Sequence, residues 1–488
     1  MMKDRNHFGR GLRSLPRLAL AAVFALPLAA CETDGLLDVE DPDVTRPEAL
    51  FDPANLQALR ATVIGDFAAA FGGTSSTTGT LPNSIGLAHV TGLMSDEFWH
   101  SGTYGQNREM DKRQIGETNS FLASTVRSLY RAVNISRIGI ESYQQNDPNS
   151  SAQAELISLQ AYVFTFFGEN FCPAIPFSQD VDGKFEYGTP ENNEQVLTRA
   201  LNTFDQALTT ANAARNAATT AAGRTAADRQ IYLARVGRAR VLMGLNRYAD
   251  AVATVRDVPS TFSYAVEYSS NTGRQNNGIW GNNFGRREIA IADREGINGV
   301  NFRVGTASAA NTTVSVDPRT PWSFVNGAAD TRSIHYFAQK FPSQAAPIVL
   351  ASGTEARLIE AEAALNRGQS AAYLTTLNTL RAGIGLAALV DPGTPAARVR
   401  QFFDERARWM YGTGQRLGEL RRIVRQYNAA IPGEFTVAKV FPTGTYFRPG
   451  TTGPREDGVY GSQVNLLMVF DEENNPNYNP DQCVTTAV

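Results

Sequence analysis

Between residues 232 and 258, apolar and small side chains recur with the period of an α-helix, stop at Asn246-Arg247-Tyr248, and then resume. Ala239, Leu242 and Met243 precede the break, and Ala251, Val252, Val255 and Val258 follow it. A helical period on both sides of so short an interruption predicts two antiparallel helices. The alanines let the two axes approach closely, and Tyr248 is placed to wedge the turn. A hairpin of this kind cannot bury its apolar side alone, so the chain is committed to a larger body of packed helices.

The spacing is similar to a tetratricopeptide-type hairpin. It returns once, where a helix over 355–365 is followed by Asn366-Arg367-Gly368 and a second helix over 370–381. The two hairpins are far apart in sequence, which argues against one continuous, regular solenoid. Three more helices are predicted over 120–144, 152–167 and 193–213, the first from Leu122, Val126, Leu129, Tyr130, Val133 and Ile140 along one side. The expected class is mainly α, a tetratricopeptide-like scaffold of helical pairs.

Two stretches break this pattern, near 71–116 and 259–347. Both are rich in Gly, Asn, Ser and Thr, and loops of such length inside a compact chain are usually functional or disordered. Their aromatic content favours order, because disordered tracts are poor in aromatic residues. Phe98, Trp99, Tyr104, Trp280, Phe284, Trp322 and Phe324 all fall within them.

The first thirty residues read as a secretory leader. Lys3, Arg5, Arg10, Arg13 and Arg17 precede an apolar run over 18–30, too short for the roughly 20 residues that a spanning helix needs. Leu28-Ala29-Ala30-Cys31 resembles a bacterial lipobox, in which the cysteine sulfur is acylated with palmitate-type chains and becomes the mature N-terminus. The expected organisation is therefore a lipoprotein signal peptide over 1–30, an acidic tether over 31–50 and a single domain over 51–488. Cys31 is the lipid attachment site, on an outer membrane held through the lipid alone.

Loss of the leader removes five basic residues and one acidic residue, leaving 40 Lys and Arg against 47 Asp and Glu, a net charge of −7. A nucleic-acid partner needs a basic surface, and this chain supplies none. Two cysteines remain, Cys172 and Cys483; they either pair in an oxidising compartment or stand as separate buried thiols. The chain has no CxxC or HxxxH spacing, so no metal site and no cofactor are expected. Only His89, His100 and His335 survive the leader, no Gly-x-Ser-x-Gly elbow lies near them, and the paired acids Asp96/Glu97 and Asp404/Glu405 are sequence neighbours whose side chains point apart. The expectation is a protein that is not an enzyme.

Several elements together resemble the RagB/SusD family of outer-membrane nutrient-binding lipoproteins, over most of the mature chain. Ser95-Asp96-Glu97 stands before an aromatic loop; Leu129-Tyr130-Arg131-Ala132-Val133-Asn134 is similar to the family's early helix, and Tyr162-Val163-Phe164-Thr165-Phe166-Phe167-Gly168 to its second. Arg357-Leu358-Ile359-Glu360-Ala361-Glu362-Ala363 and Leu377-Asn378-Thr379-Leu380-Arg381-Ala382 resemble its late pair. The strongest element is Glu405-Arg406-Ala407-Arg408, continued by Gly414-Gln415-Arg416 and Glu419-Leu420-Arg421-Arg422. Thr413 stands where the family has an acid, and Glu419 where it has Asp, which marks a divergent member. The resemblance implies four helical pairs with long loops forming a ligand face. It also implies capture of an oligosaccharide or peptide for delivery to a SusC-like TonB-dependent transporter barrel.

Sugars have apolar C–H faces and hydroxyl edges, so a site for them needs aromatic platforms beside hydrogen-bonding side chains. Trp99, Tyr104 and Asn107 form one such candidate group, Trp280 and Asn283 a second, and Trp322 a third. The competing reading is a tetratricopeptide-type scaffold whose partner is a peptide or protein held in a groove between helices, with the loop aromatics serving only as packing.

Overall fold

A computed structural model describes residues 50–75, 85–181 and 184–488. The leader, Cys31 and the tether up to residue 49 lie outside the described residues. The helices follow in the order α1 (Leu56–Gly72), α2 (Leu87–Leu93), α3 (Gly105–Asp111), α4 (Ser120–Asn146), α5 (Ser151–Asn170), α6 (Asn193–Ala217) and α7 (Ala221–Gly244). They continue as α8 (Tyr248–Val255), α9 (Gly278–Trp280), α10 (Gly353–Asn366), α11 (Ser370–Ala382), α12 (Pro395–Trp409) and α13 (Arg416–Arg422). The fold is mainly α.

Most long helices begin where a side chain takes up an otherwise orphaned backbone N–H. Asn119 accepts from Leu122, Ser150 from Gln153, Asn192 from Gln195, Thr220 from Gly223, Ser352 from Glu355 and Thr394 from Ala397. The α7–α8 and α10–α11 turns each contain a left-handed residue, Asn246 at φ 61° and Gly368 at φ 72°. Tyr248 sits buried at the α7–α8 turn, its hydroxyl donating to Gln426 at 2.7 Å.

Helices α4 to α8 pack in succession, and α10 closes against α7 and α8. Small residues set the spacing: a Cβ at Gly237 of α7 would lie 2.2 Å from the Phe204 ring. Phe71 and Phe166 stack at 5.4 Å between α1 and α5, and Tyr162 meets Phe204 edge-on at 5.1 Å between α5 and α6. Each such aromatic, taken fully out of water, stabilises by about 1.5–3 kcal/mol.

The two loop-rich stretches are interrupted by short helices and short strands. The strands are β1 (Phe98–His100), β2 (Gln179–Val181), β3 (Lys184–Glu186), β4 (Ser263–Val266), β5 (Ile289–Ile291), β6 (Trp322–Asn326), β7 (Ile334–Ala338), β8 (Ile348–Ser352), β9 (Thr445–Gly450) and β10 (Gly453–Val459). Among the described residues they form antiparallel pairs, β1–β5, β2–β3, β4–β8, β6–β7 and β9–β10. Strands of three to seven residues carry too few alternations to register as a period. The β1–β5 pair joins the two loop-rich stretches, setting Trp99 opposite Ala290.

Charged residues of the family-like motifs turn inward. Arg416 holds Asp96 through Nε and Nη2, Arg406 Nε donates to Glu419 at 2.6 Å, and Glu405 takes Arg319 and Arg381, each at 2.6 Å. Arg422 pairs with Glu362, which also accepts from the Tyr427 hydroxyl. All of these partners except the half-buried Arg381 are buried, and the pairs tie the Asp96 segment to α13 and α13 to α12. Cys172 and Cys483 form a disulfide, with Cα atoms 4.9 Å apart, and the Cys172 N–H donates to Leu466 beside it. No helix among the described residues is long and apolar enough to cross a membrane.

Candidate functional site

Where β1, β5, β7 and the β9–β10 hairpin converge, they enclose a cleft of about 440 Å³. Trp99 lies at its base, 3% exposed, packed with Ala290, Ala292 and Tyr446. Tyr336 from β7, Phe447 from β9 and Tyr460 just beyond β10 supply three more aromatic faces. Phe447 is 51% exposed and lines the cleft mouth. Asp293, Arg294, Glu295 and Arg303 provide the polar groups, and Pro449 and Pro454 stiffen the hairpin rim.

The cleft is held from behind by buried polar anchors. Asp111 accepts from the His100 N–H and the Tyr446 hydroxyl, both at 2.6 Å, which fixes β9 against β1. Burial pushes the Asp111 carboxyl upward. Arg448, paired with Asp330 at 2.9 Å, stands 6.0 Å from the Trp99 ring. Burial, followed by the charges of Asp111 and Asp96, pushes Glu295 well above the usual carboxylate range.

The residues singled out from sequence divide. Trp99 lines the cleft. Trp322 does not: it is 6% exposed, donates from Nε1 to Val304 at 3.1 Å, and meets Tyr336 edge-on at 5.9 Å, so it backs the cleft wall. Asn283 is a strut, donating to Ile289 at 2.7 Å and accepting from the Ala338 N–H at 3.0 Å. Its neighbours in the Asn-rich segment do the same work: Asn276 donates to Ser75, Asn277 to Ala346 and Asn282 to Gly278. Asn107 is buried in α3, Tyr104 is 40% exposed against Phe121, and Trp280 is half-buried in α9; none of the three lines the cleft. Tyr336, Phe447, Tyr460 and Arg303 escaped the sequence reading. The Phe447-Arg448-Pro449-Gly450 segment, an aromatic beside Pro and Gly, is a signal that could have found Phe447.

A larger groove of about 750 Å³ along α6 is lined by Glu, Asn, Gln, Thr and Arg199, with no aromatic face. His89, His100 and His335 are buried, each pushed down to about 3 chiefly by that burial, and none lines the cleft. Among the described residues no His, Cys, Asp and Glu group could hold a metal ion.

The fold of helical pairs is similar to that of solved SusD-like proteins. A SusD-like carbohydrate-binding protein from Bacteroides vulgatus superposes with a TM-score of 0.59 at 13% identity, over 88% of this chain and 98% of that one. Surface glycan-binding protein A from Bacteroides uniformis superposes at 0.58 with 14% identity, over 88% and 100%. A SusD-like carbohydrate-binding protein from Bacteroides fragilis gives 0.58 and 14%, over 88% and 99%. No family model and no curated protein matches the sequence.

Proposed function

We propose that this chain is a divergent RagB/SusD-type surface lipoprotein, anchored through Cys31, that captures an oligosaccharide in the Trp99–Tyr336–Phe447 cleft and delivers it to a SusC-like TonB-dependent transporter barrel without chemically altering it. The observation that carries this reading is the exposed Phe447 facing a cleft with three further aromatic rings and a charged rim. Aromatic faces supply stacking area for sugar C–H groups, and the charged rim supplies directional hydrogen bonds. That structural neighbours from Bacteroides are carbohydrate- and glycan-binding proteins supports the glycan class. The peptide-scaffold reading calls for an open groove between helices, whereas the aromatic cleft lies among the strands.

Two experiments test the proposal. A glycan array probed with the purified chain should give oligosaccharide binding that Phe447→Ala and Tyr336→Ala each weaken; binding unchanged by both substitutions removes the cleft from the account. A pull-down from solubilised native membranes should recover a large β-barrel in near-equal amount and lose it when Cys31→Ala releases the protein. Absence of a barrel, under conditions where other lipoprotein complexes survive, removes the transporter role.

A further inference from the structure

Arg303 lies half-buried in the cleft wall, its guanidinium carbon 3.5 Å from the centre of the Tyr336 ring and 6.0 Å from that of Trp322. An arginine laid flat on an aromatic face keeps its N–H edge free to donate within the plane. No carboxylate among the described residues forms an ion pair with it, and its Nε is buried without a partner. Arg319, Arg406, Arg416 and Arg422, all buried, each hold an acid, and the buried Arg113 and Arg421 are spent on backbone carbonyls instead.

The acids that line the cleft are otherwise engaged. Asp293 takes the Arg303 backbone N–H at 3.0 Å and Arg294 at 3.2 Å. Glu295 is buried, and that burial, with Asp111 and Asp96 near it, pushes its carboxyl up against the opposing effects of Tyr460 and of Arg303, with which it forms no ion pair. Asp293 is taken by Arg294, so Arg303 presents a planar donor set in the cleft wall, stacked on Tyr336 and held in no ion pair among the described residues.

We infer that the ligand is an acidic oligosaccharide, and that Arg303 receives the carboxylate of a uronic acid residue while Tyr336 and Phe447 hold the adjoining rings. The inference rests on the glycan-capture reading above and narrows it to a substrate class. A carboxylate matches the guanidinium fork with two parallel hydrogen bonds; an ester sulfate offers a tetrahedral anion to the same group.

The test is an array of uronate-bearing, neutral and sulfated oligosaccharides probed with the full chain, followed by titration calorimetry with the best uronate ligand and its carboxyl-reduced counterpart. The expected result is preferential binding of uronates, weakening with added salt, and a loss on the order of tenfold on carboxyl reduction. Arg303→Gln should produce the same loss toward the uronate, and less than about twofold toward the reduced ligand, in a protein whose melting temperature is unchanged; Arg303→Lys should recover part of it. Equal binding of neutral and uronate ligands, unaffected by Arg303→Gln, overturns the acidic-ligand inference and leaves glycan capture intact. Preference for sulfated ligands overturns the carboxylate assignment. Absence of binding to any glycan removes the capture reading, and the inference with it.

Discussion

Asp96 and Arg416, 320 residues apart in sequence, meet through two hydrogen bonds of 2.7 and 3.0 Å in a fully buried setting. Asp96 also accepts the Val300 N–H at 2.9 Å, so one carboxylate joins the approach to β1, α13 and the segment entering the cleft wall. Removing one partner of a buried ion pair leaves the other charge uncompensated, at a cost of about 3–5 kcal/mol. Asp96→Asn and Arg416→Met should each lower stability by that amount in urea unfolding, while the double substitution Asp96→Asn/Arg416→Met should recover much of the loss.

Glu97 behaves differently from its neighbour. Burial pushes its carboxyl up to about 8, against the lowering effects of the Gly412 N–H and Arg416; Glu355 is likewise pushed up to about 7 by burial. Both bind a proton more tightly folded than unfolded, so their contribution is complete below the unfolded value of about 4.3 and is lost as pH rises through about 7 and then about 8. The buried histidines act oppositely below about 6.5, and Lys340, pushed down to about 8 by burial, acts oppositely above its own value. Between those limits unfolding free energy should fall with pH, by at most about 1.4 kcal/mol per pH unit for each carboxyl. Glu97→Gln should flatten that slope in urea titrations at successive pH values.

Gly237 and Gly65 make a matched pair in the helical scaffold. A methyl at Gly237 would press on Phe204 at 2.2 Å and on Tyr162 at 2.8 Å, whereas one at Gly65 of α1 meets nothing within 4 Å. Gly237→Ala should cost about 1–3 kcal/mol through overpacking. Gly65→Ala should instead stabilise by about 0.5–1 kcal/mol, because alanine gives up less backbone entropy in a helix. Thermal melts of the two variants give opposite signs.

Phe447→Ala offers a clean separation of binding from folding. The ring is 51% exposed, so its loss should leave the melting temperature unchanged. A stacked aromatic contact is worth about 0.5–1.5 kcal/mol beyond its area, so affinity for an array-selected oligosaccharide should fall up to about tenfold in calorimetry.

The helical pairs were legible because their information is local. Predicted helices over 120–144, 193–213 and 370–381 fall within one to four residues of Ser120–Asn146, Asn193–Ala217 and Ser370–Ala382. The strands were not, because Phe98 finds its partner in Ile291 and neither three-residue segment has a pattern of its own. The cleft inherits that difficulty: Trp99, Arg303, Tyr336 and Phe447 belong to four separate stretches that meet only after folding. Composition also misdirected, since the asparagines around Trp280 resemble ligand donors yet are spent on backbone carbonyls, those of Ser75 and Ala346 as well as of their own segment. The inward turn of Arg406, Arg416 and Arg422 shows that the family-like motif records the scaffold's internal wiring and carries little about the ligand.

The Cys172–Cys483 bond has a mechanical consequence for a protein read as tethered at one end. It closes a covalent ring across a sequence separation of 311 residues, within which Arg303, Tyr336, Phe447 and Tyr460 all lie. Tension applied between the N-terminal tether and the C-terminus passes through the sulfur bridge and bypasses that ring. Pulled by its ends, the molecule can pay out only the segments before Cys172 and after Cys483, and most of the cleft wall lies outside the line of force.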